Sequence, residues 1–181
     1  MNKLIHTLGY LQTTQHILLH IQPTKPIQIE AYIDAAFAAH DDSKSHSGIA
    51  IFVAGTLVYA SSRKQKCITK SPTESELVAL TDNLSLTELF HEFLEFITAS
   101  KINIPVIFQD CTAVIQLVTT GGGIPRTKHL RARMNMAREA IQQERVRVVH
   151  CRAHLMKADG LTKPLEGTDF TIFAKHVLCK A

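Results

Sequence analysis

The sequence predicts an α/β domain, a mixed five-stranded sheet with helices packed against it, and three observations predict it. An early block of alternating or β-branched apolar residues, broken by turn signals, reads as three antiparallel strands. A long segment with helical punctuation and an apolar stripe follows, and short apolar strands then alternate with helices. The resulting order, βββαβαβα, places one meander before alternating elements, and so yields a sheet that is antiparallel on one side and parallel on the other.

Taken in order, residues 2–20 carry Leu4, Ile5, Leu8, Leu11, Ile17 and Leu18 at helical spacing, and Pro23 and Pro26 then break the chain. Ile27, Ile29, Ala31 and Ile33 alternate with other side chains up to Asp34, a strand with a carboxylate at its tip. Asp41 to Ser45 reads as a loop, Gly48 to Val53 as a strand, Ala54-Gly55 as a tight turn and Thr56 to Ala60 as the return strand. Ser71 and Pro72 open a helix over 72–97, lined by Leu77, Leu80, Leu84, Phe90, Phe93 and Ile97. Pro105 to Gln109 is a buried strand running into Asp110 and a helix over 111–119, which Gly121, Gly122 and Gly123 end. A helix over 127–143, a strand over 145–151, a short helix over 156–162 and a terminal helix over 168–178 complete the chain. The expected units are a helical linker at 1–26, a main domain at 27–165 and a C-terminal helix at 166–181.

The 181 residues are 45% hydrophobic and 20% charged, which suits a globular domain with its own core and excludes a disordered or fibrous chain. Cys67, Cys111, Cys151 and Cys179 form no C-x-x-C pair, which argues against a zinc site or a disulfide framework. No apolar run approaches bilayer length, and polar interruptions at His6, Gln12, Gln15 and His16 make the start unlike a signal peptide. A soluble intracellular protein is expected.

The net charge of +4 is unevenly spread. Glu74 to Glu95 holds six acids and no Lys or Arg, whereas Arg126 to Arg152 holds eight Lys or Arg against Glu139 and Glu144. Arg63, Lys64, Lys66 and Lys70 form a second basic run. Two basic segments flanking an acidic one suit a polyanion track beside a cation site, although solvated helix faces would look the same.

Asp34 and Asp110 stand where a strand hands over to a loop or helix, Glu74 lies just inside a helix, and Asp159 opens a late one. Ligands of open α/β sheets collect outside the carboxyl ends of the strands, where Asp34 and Asp110 would meet if their strands are parallel neighbours. Four converging carboxylates cannot all stay ionised without cations, and oxygen donors suit magnesium. Each acid also has a plainer reading. Glu74 follows Ser71 by three with Pro72 between, the pattern of a capping box, and the aspartates could be caps or turn residues. Spacing leaves both readings open.

The segments around the acids are more specific. They are Y-I-D-A-A-F-A with D-D-S-K-S-H-S-G, then S-P-T-E-S-E-L-V-A-L, I-F-Q-D-C-T-A-V-I, R-T-K-H-L-R-A-R and K-A-D-G-L-T-K-P-L. Together, over about residues 29–170, they resemble the ribonuclease H domain of copia-type LTR-retrotransposon polyproteins. Residues 2–20, with L-G-Y-L-Q-T-T-Q-H, look like the segment joining the polymerase part to that domain, and the end at Ala181 looks like the end of such a polyprotein.

The resemblance implies a ribonuclease H-like fold and a metal-dependent endonuclease that hydrolyses the RNA strand of RNA–DNA hybrids. It makes Asp34, Glu74, Asp110 and Asp159 the catalytic metal ligands, with Glu74 preferred to Glu76 as the first acid of T-E-x-E. Two Mg2+ ions, for which Mn2+ could substitute, would activate the attacking water and stabilise the leaving 3′ oxygen. His154 would assist proton transfer or product release, and its titration range suits either task. His129 matches a family histidine whose role is open. Arg63, Lys64, Lys66, Arg126, Lys128 and Arg131 would hold the hybrid through its phosphates, without base readout. The implied partners are the hybrid and the reverse transcriptase polymerase domain, with no membrane, and the setting is cytoplasmic or inside virus-like particles. An inactive scaffold of the same fold that grips nucleic acid or partner subunits is the alternative. Phe37 stands where the family has tryptophan and Pro72 where it has a second serine, and Ala35 and Cys111 are also atypical; none of these removes an acid.

Overall fold

The computed structural model describes residues 2–15, 17–19, 21, 23, 25–120 and 128–177. In chain order these form α1 (Asn2–Thr14), β1 (Ile29–Ala36), β2 (His46–Val53), β3 (Thr56–Lys64), α2 (Pro72–Thr98), β4 (Val106–Gln109), α3 (Thr112–Thr119), α4 (Lys128–Gln142), β5 (Arg147–His150) and α5 (Gly167–Val177). The five strands make one sheet in the order β3-β2-β1-β4-β5. β1, β2 and β3 pair antiparallel, while β4 pairs parallel with both β1 and β5. This is the mixed sheet that the pattern predicts. β2 turns into β3 through Ala54 and Gly55, both at positive φ (52° and 84°), which matches the twist of a two-residue hairpin.

The sheet alternates strictly along β1, and that alternation builds two cores. Ile29, Ala31 and Ile33 join Ile49, Ile51 and Ile107 under α2, which contributes Leu77, Leu80 and Leu84. Each such side chain, taken fully out of water, contributes roughly 1.5–3 kcal/mol. Tyr32, Ala50 and Phe52 point the other way and meet Met156, Ala158 and Val177. Tyr32 stacks on Phe108 with ring centroids 4.6 Å apart. The Lys157 ammonium caps this face, 4.7 Å from the Tyr32 centroid and 4.1 Å from that of Phe52. The segment after β5 is thereby pinned across the sheet.

α2 begins as its sequence requires. Ser71 is extended (φ −156°) and its Oγ accepts the Glu74 N–H at 3.2 Å, with Pro72 in the first turn. Its end is set by Ala99 in the left-handed region (φ 48°). The start is also tied to the sheet, because Gln65, 4% exposed, donates from Nε2 to Ser47 Oγ and to the Ser75 carbonyl, both at 2.9 Å.

Two segments differ from the sequence reading. The first helix ends at Thr14 rather than reaching residue 20, and the hydroxyls of Thr13 and Thr14 donate back to the Gly9 and Tyr10 carbonyls. Leu4, Ile5, Leu8 and Leu11 stay exposed, and Tyr10 meets Phe170 of α5 edge-on. The segment 156–162 is not one helix but part of a pair of 3-10 turns, Ala153–Leu155 and Asp159–Leu161. Met156 and Ala158, both buried, hold the chain against the sheet between those turns. The glycines at 121–123 and the start of the helix expected at 127 lie outside the described residues.

Candidate active site

β1 and β4 are parallel neighbours, with Tyr32 opposite Phe108, so Asp34 and Asp110, each two residues further on, stand at the same level just past the parallel pairing, Asp34 still paired with Gly48 of β2. α2 crosses over this end and presents Glu76. One oxygen from each of Asp34, Glu76 and Asp110 lies within 4.8 Å of the other two. Asp34 is 4% exposed and Glu76 7%.

Glu76, not Glu74, is therefore the helix acid in the cluster. Glu74 serves the start of α2: its own N–H donates to the N-cap Ser71 Oγ, and its Oε2 accepts the N–H of Lys70, one residue before the cap, at 2.7 Å. Glu76 lies half a turn further round, on the buried face that continues to Leu80 and Leu84. Its Oε1 accepts the Ala35 N–H at 3.2 Å and its Oε2 accepts Gln109 Nε2 at 3.2 Å. Gln109, fully buried, accepts the Cys111 N–H on its Oε1 at 3.0 Å, so one amide joins Glu76 to the start of α3. The sequence reading weighed Glu76 but preferred Glu74, and it did not single out Gln109. An acid one turn before Leu80 in the apolar stripe, and a glutamine inside a buried strand, were the signals available.

Asp159 reaches the cluster from the turn after β5. The Thr162 hydroxyl donates to Asp34 Oδ2 and to the Asp159 carbonyl, the latter at 3.1 Å, and Lys163 Nζ pairs with Asp159 Oδ1 at 2.9 Å. Gly48 of β2 makes this approach possible. A Cβ there would sit 2.8 Å from Thr162 Cγ2 and 2.9 Å from Leu161 Cβ.

The electrostatics follow from crowding. Burial first, then the charges of Asp34 and Asp110, push the Glu76 carboxyl up to about 8. Burial also raises Asp34 and Asp110, and Asp159 adds its charge against Asp110. Asp159 is raised by burial and then by Asp34, against the pull of Lys163. Such a set of hard oxygen donors, disfavoured as anions by one another, fits a divalent cation.

His154 lies exposed in the first 3-10 turn and lines the same depression, about 420 Å3, as Asp159, Lys157, Lys163 and Asp169. Arg63, Lys64 and Lys66 gather on a groove of about 440 Å3 between β3 and α2, joined there by Arg133 of α4. Lys64 is partly spent on Asp42, at 2.8 Å. Lys128, His129 and Arg131 are exposed on the first turn of α4, away from that groove, and Arg126 lies outside the described residues. Among the described residues no helix is long and apolar enough to cross a membrane.

No family model matches the chain. Solved structures share its architecture: ribonuclease H1 of Halobacterium salinarum superposes with a TM-score of 0.55 at 17% identity, over 74% of this chain and 93% of that one. LC11-RNase H1, solved in complex with an RNA/DNA hybrid, gives 0.56 at 14% identity over the same shares. The protease-reverse transcriptase of prototype foamy virus gives 0.53 at 10% identity, over 80% of this chain and 21% of that one. The fold is that of ribonuclease H.

Sequence comparison narrows the kinship. The chain is 29% identical over 171 residues to the retrovirus-related Pol polyprotein from transposon RE1 of Arabidopsis thaliana, covering 94% of this chain. It is 28% identical over 166 residues to that from transposon TNT 1-94 of Nicotiana tabacum, covering 91%. The chain spans 12% of the length of each of these polyproteins. Its homologues are thus retrovirus-related Pol polyproteins of copia-type transposons.

Proposed function

We propose that the chain is a divalent-metal-dependent endonuclease that hydrolyses the RNA strand of RNA–DNA hybrids in retrotransposon reverse transcription. The observation that carries this reading is the convergence of Asp34, Glu76 and Asp110, with Asp159 beside them, at the carboxyl ends of two parallel strands. A ribonuclease H fold among Pol polyprotein relatives supports the substrate, as does a structural neighbour solved on such a hybrid. The same relatives support a polymerase domain as partner.

Asp34, Glu76 and Asp110 would hold one cation, and Asp159, tied through Thr162 to Asp34, would help to hold a second. Divalent cations bound there would neutralise charge on the scissile phosphate and acidify the attacking water, and Mg2+ suits the all-oxygen donor set. The chain's own residues do the positioning. Gln109 and the Ala35 N–H orient Glu76, and Thr162 orients Asp34. His154, beside Asp159, takes or returns a proton at its imidazole nitrogen as product leaves. Arg63 and Lys66, with Lys128 and Arg131 on a second surface, meet phosphates, which gives affinity without sequence preference.

The test is cleavage of a labelled RNA–DNA hybrid in Mg2+, with Asp110→Asn as control. Metal-dependent loss of the RNA strand, absent in the variant, is the expected result. Folded protein that binds the hybrid yet cuts nothing in Mg2+ or Mn2+ would overturn the enzyme reading and leave a nucleic-acid-binding scaffold.

A further inference from the structure

The acidic cluster carries its own counter-ion. The backbone from Asp159 to Lys163 curls so tightly that the Lys163 N–H donates to the Asp159 carbonyl at 3.2 Å. This brings the lysine ammonium back onto the acid four residues before it, at 2.9 Å from Asp159 Oδ1. The adjacent Thr162 hydroxyl binds Asp34. One turn therefore grips two of the four acids, one through a neutral donor and one through a full charge.

That charge is not shared evenly. Its field favours the ionised forms of Asp159, Asp34 and Asp110, and burial of the lysine, which alone would lower its pKa, is outweighed by these three acids. Glu76 is governed instead by burial, Asp34 and Asp110. The cluster thus has two halves. The cradle of Asp34, Glu76 and Asp110 has mutually close oxygens and no cation against Glu76. Asp159, beside that cradle, already holds a positive charge at 2.9 Å.

We propose that Lys163 is a built-in competitor for the second of two divalent cations, holding Asp159 until that cation displaces it. The inference rests on the metal-dependent reading given above. The first cation enters the three-acid cradle with Lys163 in place. The second enters only as the ammonium swings out, and because the Lys163 side chain is half exposed, solvent lies within its reach. Lys163 is then a positioning residue that sets how much free metal the enzyme needs. It also spares Asp159 an uncompensated charge when metal is scarce.

Calorimetric titration of the whole chain with MgCl2 or MnCl2 reads this directly, without any turnover. Lys163→Met keeps the stem and removes the charge, whereas Lys163→Arg keeps the charge, and melting in EDTA checks that both variants fold. The expected result is two binding steps in the wild type. In Lys163→Met the second step should tighten roughly tenfold, as for an ammonium and a dication a few ångströms apart at a half-exposed site. The first step, which Lys163 reaches only through its field on Asp34 and Asp110, should tighten less than the second, and Lys163→Arg should restore weak second binding. A second step that is unchanged or weaker in Lys163→Met overturns the proposal, as does a single step in both proteins. If the wild type binds no divalent ion at all, the metal-dependent reading itself fails, a different result from either of those.

Discussion

Exchanging the roles of Glu74 and Glu76 is the sharpest perturbation the structure offers, because the two lie two residues apart and do unrelated things. Glu76→Gln keeps the side-chain volume and an acceptor for the Ala35 N–H, but removes one of three anionic donors whose oxygens sit within 4.8 Å of each other. Loss of a partner one shell further out costs about 10–100-fold in metal affinity, so loss of a direct donor should cost at least about 100-fold. Cleavage should fall with it. Glu74→Ala removes the acceptor of the Lys70 N–H at 2.7 Å. Losing one hydrogen bond of this kind costs about 1 kcal/mol, which is about 2–4 °C of melting temperature for a chain of this size. Metal affinity and cleavage should be unaltered. The assay is melting with and without Mg2+, alongside hybrid cleavage, for both variants. If Glu74→Ala abolished metal-induced stabilisation while Glu76→Gln retained it, the assignment drawn from the geometry would be wrong.

Three further outcomes are expected. The Glu76 carboxyl is raised from its ordinary 4.5 to about 8, so between those values the folded chain holds a proton that the unfolded chain has lost. Metal-free stability should therefore fall as pH rises through that window, by up to about 1.4 kcal/mol per pH unit from this group, and Glu76→Gln should flatten the fall in a melting series. Gly48→Ala drives a methyl against Thr162 and Leu161, and should cost about 1–3 kcal/mol in denaturant melts while lowering cleavage as the turn bearing Asp159 is pushed away. An activity unchanged by this substitution would mean that the turn's placement is not critical. Arg63→Ala should lower the slope of log affinity for hybrid against log salt by about 1, whereas Lys64→Ala, already paired with Asp42, should change it less. Equal effects would argue that the groove does not track phosphates.

The fold was legible because its signals are local and repeat: the alternation along β1, the Ser71-Pro72 start of α2, and the two-residue hairpin at Ala54-Gly55. Asp34 and Asp110 were legible as acids that would meet if their strands were parallel neighbours, a pairing the order of elements allows and the sheet contains. The choice between Glu74 and Glu76 was not. A helix's buried face is fixed by what it packs on, and the cap signal at Glu74 competed with the family motif for one carboxylate. The 156–162 segment was misread for a related reason. Met156 and Ala158 are buried on a sheet face that only the tertiary fold supplies. Lys163 and Thr162 act by turning back on a compact turn, a geometry that periodicity does not encode.

The central position of β1 has a consequence for when the site can exist. Asp34 belongs to the first strand made, yet that strand lies in the middle of the sheet, between β2 and β4. Its partners Glu76, Asp110 and Thr162 come from a helix, a strand end and a turn spread over most of the chain that follows. A growing polypeptide therefore carries the first acids for most of its synthesis without a centre, and so does one cut before Asp159. The four acids come together only once the turn bearing Asp159 and Thr162 has closed on the sheet.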